Sequence, residues 1–235
     1  MDIQPTVRHR SIPHVDGEQN VLAEAFPTRI QLRRKAFLVR EGEPSDRVQL
    51  LKQGMAIRFK TTSEGSRQIV GIVMPGDICD LSSIFSQVPD HSIEAVTDCE
   101  IAIARMEDMV DLMDVQPRLG LALLAHSLAD ATTARVWILN NGRRTARQRI
   151  AHLICEIFTG TRGITFASGD TCTFPLTQEH MADATGLSIV YVNQNLQEFR
   201  SAGLISLDNR ILVIHDWEKL SAIADFRDYS RDADR

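Results

Sequence analysis

The 235-residue chain is 43% hydrophobic and 24% charged with a formal net charge of −5, the profile of a globular protein with a substantial core. No stretch approaches the roughly 20 apolar residues of a membrane span, and the polar start MDIQPTVRHRS lacks the apolar segment of a secretory signal, so a cytoplasmic protein without a membrane partner is expected. Cys79, Cys99, Cys155 and Cys172 form no CxxC pair, which argues against a zinc ribbon, a redox dithiol or a disulfide framework, and a slight basic excess over residues 142–215 is too weak to announce a nucleic-acid partner.

Residues 1–20 read as an irregular arm. From about residue 36 to 105 the pattern is β. Val48 to Lys52 is a short apolar run closed by Gly54. Met55 to Lys60 alternates, which predicts Met55, Ile57 and Phe59 on a buried face and Ala56, Arg58 and Lys60 on a wet one. Ser63-Glu64-Gly65 supplies a turn, Arg67 to Met74 a further strand stopped by Pro75-Gly76-Asp77, and Ile93 to Val96 and Glu100 to Ala104 the last strands. Short strands punctuated by turn residues predict a small closed or rolled antiparallel sheet.

The period changes near residue 106. Met106 to Met113 reads as a short helix, and Pro117 suits the first turn of a long one. Residues 117–141 predict a helix of about 37 Å on which Leu121, Leu124, Leu128, Ala131 and Ile138 keep a 3,4 spacing, interrupted by Arg135. Apolar residues on other sides of it, Leu123 and Trp137 among them, mean burial on more than one side. That leaves an internal core helix or a helix packed on its own domain and on a second copy. Asn141-Gly142 reads as a hinge. Thr145 to Phe158 is an amphipathic helix with Ile150, Leu153, Ile154 and Ile157 on one face, ended by Gly160 and Gly163. Asp225 to Arg235 reads as a frayed tail.

Leu176 to Ile214 carries the most specific pattern. Thr177 is a good N-cap for a helix from Gln178 to about Thr185. Gly186 stands where the chain must turn sharply. Ser188 caps a second helix to about Ala202, with Val192, Leu196 and Phe199 inward, and Gly203 ends it. Leu204 to Ser206 and Ile211 to Ile214 make a hairpin, and Asp216 caps a last short helix. Helix, glycine turn, helix and hairpin form the winged helix-turn-helix layout, whose second helix enters the major groove. Ile189, Val190, Tyr191, Asn193 and Gln194 are its outward residues. Asn and Gln pair with adenine, and apolar side chains meet the thymine methyl. Gln178 and Ser188 lie at helix starts suited to phosphate. A small helical subdomain with exposed polar residues is the plainer reading of the same pattern.

With these segments in place, the chain resembles the CRP/FNR superfamily of bacterial transcription regulators from about residue 20 to 225. The resemblance is carried by Glu41-Gly42-Glu43, Gly54, residues 76–85 (GDICDLSSIF), 90–104, 145–158 (TARQRIAHLICEIF) and 176–205. It implies an α+β fold: an N-terminal arm (1–20), a cyclic-nucleotide-binding-like β-roll of double-stranded β-helix or jelly-roll type (21–114), a long dimerisation helix and hinge (115–142), a winged helix-turn-helix (143–219) and a tail (220–235). It further implies a homodimer on a near-palindromic double-stranded DNA operator, RNA polymerase as a partner, and a signal sensed by the roll.

Departures from the family concentrate in the sensor. Members that bind cyclic AMP hold the ribose hydroxyl with a glutamate and the cyclic phosphate with an Arg-Ser pair. Here the glutamate position is Leu81, preceded by Asp80, and His91-Ser92 stand for the pair. Without that arginine the site loses its charge-assisted contact, and cyclic AMP is not expected to bind in the usual way. Gly76, Asp77, Cys79, Asp80, Leu81, Ser82, His91 and Ser92 remain the candidate effector pocket. The first cysteine is Cys79, so the N-terminal cluster of the iron–sulfur branch is missing. Cys79, His91 and Met74 are candidate haem ligands, but any such roll holds residues of this kind, and haem is not expected. Cys79 and Cys99 read as buried small hydrophobes. Gln194 stands where many relatives have a guanine-reading arginine. The chain contains no GxGxxG, P-loop, HExxH or nucleophile elbow, His152 and His180 read as surface or packing residues, and neither catalysis nor a metal is expected.

Overall fold

The computed structural model describes residues 25–81, 88–161, 167–168 and 170–227. The predicted arm, Ser82, Gly163 and the last residues of the predicted tail lie outside them. The chain divides into two compact units at residues 134 and 135.

In the first unit, β1 (Thr28–Leu32), β7 (Cys99–Arg105) and β3 (Arg47–Gln53) form one sheet in the order β1-β7-β3. Strands β2 (Phe37–Val39), β6 (Ser92–Ala95), β4 (Ala56–Thr61) and β5 (Arg67–Val73) form a second, ordered β2-β6-β4-β5. All pairings are antiparallel. Leu38, Leu51, Ala56, Val73, Ile93 and Ile101 belong to one buried cluster with Cys79 and Cys99. A second cluster joins Val48, Leu50, Ala102 and Ala104 to Met109 of α1 (Met106–Val115) and to Leu119, Ala122 and Leu123 of α2 (Pro117–Arg143). One side of α2 is thus used by the roll.

The alternation predicted over Met55 to Lys60 holds for Met55, Ile57, Phe59 and Lys60 and fails at Ala56. Ala56, Ile57 and Phe59 are all buried, and Arg58 is half-buried. The strand lies between β6 and β5, and its register with β5 slips between Arg58 and Phe59. Ala56, paired with Val73 on one side and Ala95 on the other, belongs to the buried cluster and so leaves its predicted wet face.

The predicted hinge is also corrected: α2 runs unbroken through Asn141 and Gly142 to Arg143. In the second unit Trp137 Nε1 donates to Glu156 Oε1 at 3.2 Å and Asn141 Nδ2 to the Ala184 carbonyl at 3.3 Å. These bonds hold the last turns helical, and a helical glycine costs only about 1 kcal/mol against alanine.

The second unit is built on α3 (Ala146–Thr161), which packs against α4 (Gln178–Thr185), α5 (Ile189–Ser201) and α6 (Trp217–Ala224). Ile150, Leu153, Ile154 and Ile157 are buried as their spacing predicts. Strands β8 (Ala167–Ser168), β9 (Thr171–Thr173), β10 (Ile205–Asp208) and β11 (Ile211–Ile214) form a sheet ordered β10-β11-β9-β8. A tail beginning at residue 220 cuts through α6. Leu220 and Ala224 are buried, Arg144 bonds the Asp225 carbonyl at 2.9 Å, and Phe226 packs on His152 and Trp217. His152 is correspondingly buried in the packing rather than on the surface.

Gly54 closes the β3–β4 turn at φ +96°, and a Cβ there would meet the Asp98 carbonyl at 2.5 Å and Cys99 Sγ at 2.7 Å. Positive φ and a backbone clash add, so Gly54→Ala is expected to lower stability by about 2–4 kcal/mol in urea unfolding.

Candidate functional site

The two capped helices of the second unit set the geometry of the site. Thr177 Oγ1 accepts the His180 amide at 3.2 Å, and His180 Nδ1 accepts the Thr177 amide at 3.4 Å, a reciprocal capping box. Gly186, left-handed at φ 65°, ends α4, and the Leu187 amide returns to the Ala182 carbonyl at 3.2 Å. Ser188 Oγ then accepts the Tyr191 amide at 3.3 Å and starts α5. Val192, Asn195, Leu196 and Phe199 are buried, while Ile189, Val190, Tyr191, Asn193 and Gln194 are exposed on the same helix. Val190 is 75% exposed and Ile189 50%. The two lie side by side at the start of the helix. Gln178 Nε2 reaches Asn193 Oδ1 at 3.5 Å, which brings two of the anticipated residues together.

Two arginines to which the sequence pattern assigned no role support this arrangement. Arg149 donates to the Arg144 carbonyl and, at 2.9 Å, to the Thr185 carbonyl at the end of α4. Arg200 donates to the Leu207 carbonyl at 3.1 Å and so ties the wing to α5. In sequence each looks like any surface arginine, because its carbonyl partners are set by chain turns elsewhere. A third, Arg58, was expected on a wet face and is half-buried in the roll. At the wing tip Asn209 and Arg210 both have positive φ, as a two-residue hairpin turn requires.

In the roll, the anticipated pocket residues divide. Gly76, at φ +99°, donates to the Leu51 carbonyl, Asp77 Oδ2 accepts the Met74 amide at 2.8 Å, and the Cys79 amide donates to the Gln49 carbonyl. The Asp77 carbonyl also accepts the Leu51 amide at 3.0 Å, so Gly76, Asp77 and Cys79 hold the segment against β3. Asp80 is buried, and Leu81 packs against the cluster that includes Val48 and Met109. Ser92 Oγ accepts the Glu41 amide at 3.0 Å. His91 Nδ1 lies 2.8 Å from Asp90 Oδ1, a bond that is the first cause holding the Asp90 carboxyl below its usual range. Among the described residues, no cluster of three or more His, Cys, Asp or Glu is arranged to hold a metal ion, and no helix is long and apolar enough to cross a membrane.

A roll of two antiparallel sheets and a capped helix-turn-helix with a hairpin wing define a sensor-type DNA-binding regulator. Residues 29–116 match the model of the cyclic nucleotide-binding domain, and residues 148–223 that of the Crp-like helix-turn-helix domain. The transcriptional activator protein FnrL of Cereibacter sphaeroides is 27% identical over 91% of this chain and 88% of that protein. A probable transcriptional activator of Rhizobium leguminosarum bv. viciae is 29% identical over 82% of this chain and 81% of its own length. The structure of FixK2 from Bradyrhizobium japonicum shares the fold, with a TM-score of 0.76 at 22% identity over 83% of this chain and 96% of that one. The chain belongs to the CRP/FNR family of transcription regulators.

All four cysteines are buried. Burial pushes the Cys155 thiol up to about 12 and raises Cys79, Cys99 and Cys172 above their ordinary value as well. The fold keeps these protons where the unfolded chain releases them, so their contribution is whole below the ordinary thiol range and is lost as pH climbs toward 12. A chromogenic disulfide reagent at pH 8 is expected to find almost no reactive thiol in the native protein and four in urea, and unfolding midpoints should fall between pH 9 and pH 11.

Proposed function

We propose that this regulator acts as a homodimer on a near-palindromic operator, each copy offering Ile189, Val190, Tyr191, Asn193 and Gln194 to one half-site, with half-site centres about 34 Å apart. The observation that carries the reading is the chemistry of α5: its outward start is apolar and amide-bearing, with no ionised side chain from Ile189 to Gln194. Amides favour adenine and apolar groups the thymine methyl. Gln178 and Ser188 are assigned to the backbone at the two helix starts. RNA polymerase is the proposed downstream partner, the cytoplasm the place of action, and activation the output, since the curated relatives named above are activators. The proposed division is a sensor within 21–114, the dimer helix α2, and a DNA-binding part from residue 143 onward that takes in α6. Residues 76–81 and 91–92 line the proposed sensor region, whose signal is not cyclic AMP held in the usual way. No catalytic role is assigned.

The dimer reading is supported by α2. Leu121, Leu124, Leu128 and Ile138 are 63%, 55%, 60% and 72% exposed, and Ala131 is exposed between them. Their spacing places them on one stripe, opposite the face that Leu119, Ala122 and Leu123 give to the roll. Because the stripe is open within a single copy, Leu124→Asp with Leu128→Asp should leave the circular dichroism spectrum unchanged and halve the mass in light scattering. A double variant that stays dimeric refutes the assignment.

Binding-site selection tests the base preference. Gln194→Ala is expected to relax one half-site position, a loss of about 1–3 kcal/mol of discrimination, with thermal stability unchanged. Gln194→Arg should move that position to guanine. Selection of guanine by the unaltered protein contradicts the reading.

A further inference from the structure

The sequence removes an arginine from the usual phosphate position of the roll, but the fold supplies a guanidinium from another strand. Arg58 lies on β4, opposite the fully buried Ile93 of β6, and its side chain is 22% exposed. Its Nη2 donates to the carbonyl of Cys79 at 3.0 Å, within the anticipated effector segment. Its Nη1 donates to Asp130 Oδ2 at 3.2 Å. Asp130 stands on α2, 72 residues further along the chain. Among the described residues Arg58 Nε has no hydrogen-bond partner.

A guanidinium is always charged, and its planar fork of N–H donors matches a carboxylate or phosphate two-pronged. Mostly withdrawn from water, it needs a counter-anion. Here the carboxylate comes from the chain itself, and it engages through one N–H rather than two. Asp130 is 43% exposed, so its carboxylate stays in contact with water while it pairs with Arg58. Asp130 also shares α2 with Leu119, Ala122 and Leu123, which pack on the roll. Further along the same unbroken helix, Trp137 and Asn141 are bonded to Glu156 and Ala184. An ion pair at Arg58 therefore acts on the element that carries both the proposed dimer stripe and bonds within the DNA-binding unit.

We propose that Arg58 forms a small-anion site in the roll whose resident anion is the carboxylate of Asp130, an internal stand-in for a diffusible effector that holds α2 to the roll. Free carboxylates and phosphates are the class of ligand that competes with Asp130 for the guanidinium. The inference rests on the sensor reading above, but its direct test does not require DNA.

The test is chemical rescue in the full-length protein. Amide hydrogen exchange of residues 117–134 is followed in the wild type, Asp130→Ala, Asp130→Glu and Arg58→Gln/Asp130→Ala, with sodium formate or inorganic phosphate against sodium chloride at equal ionic strength. Asp130→Ala should exchange on the order of tenfold faster, within the usual range of coupling between sites. Formate should restore protection, Asp130→Glu should retain it, and the double variant should not respond to formate. Operator affinity by fluorescence anisotropy should follow the same pattern. Equal exchange in Asp130→Ala and wild type, or equal recovery in formate and chloride, overturns the proposal. If the wild type fails to bind any selected DNA, the functional reading fails, and hydrogen exchange alone still decides the anion site. Because Arg58→Gln alone risks misfolding, its thermal midpoint is compared with that of the double variant; a normal midpoint with persistent formate rescue also overturns the assignment.

Discussion

The presentation of α5 depends on how the chain leaves one helix and enters the next within three residues. The end of α4 has carbonyls without helical partners and the start of α5 has amides without them. Gly186 resolves the first problem by turning left-handed, a conformation in which an L side chain is strained. Ser188 resolves the second through its hydroxyl. Arg149 adds a guanidinium that joins the Thr185 carbonyl to the Arg144 carbonyl, so the turn is fixed from α3 as well as from within. A second left-handed glycine, Gly203, ends α5 on the other side, and the Leu204 amide returns to Phe199. The helix is held at both ends by backbone geometry, which leaves its outward side chains free to vary.

That freedom shows in their chemistry. The exposed start of α5 is two β-branched residues, a tyrosine and two amides, in a chain whose net charge is negative. In the proposed reading, discrimination on such a face comes from hydrogen-bond pattern and methyl contact rather than from charge. The roll shows the reverse economy. Its interior is largely apolar, and some of its polar groups bond across segments: Ser92 to Glu41, and Arg58 to Cys79 and Asp130. Buried polar atoms of this kind specify one arrangement because leaving any of them unpaired is costly.

Much of the second unit was legible. The bounds of α4 and the start of α5 follow from Thr177 and Ser188, because a cap acts within three residues of its own position. The inward Val192, Leu196 and Phe199 follow from helical period. Of the roll, the strands with strong turn signals were readable, while Thr28–Leu32 and Phe37–Val39 were not separately seen. Both lie at sheet edges; Thr28–Leu32 is mostly exposed, and Phe37–Val39 is too short to show a period. Asn141-Gly142 misled because a turn signal is local, whereas the bonds that keep the helix intact come from residues 19 and 43 positions away.

The sequence by itself determined the order of elements, the capped helix-turn-helix, the 3,4 stripe on α2 and the absence of the usual arginine beside Ser92, since each of these is a matter of spacing or residue identity. Only the tertiary structure decided which side of α2 the roll uses, that the hinge is helix, that residues 220–226 belong to the second unit, and that a guanidinium returns to the roll from β4. These depend on contacts between residues far apart in the chain, and no local pattern carries the sequence separation of an ion pair such as Arg58 with Asp130.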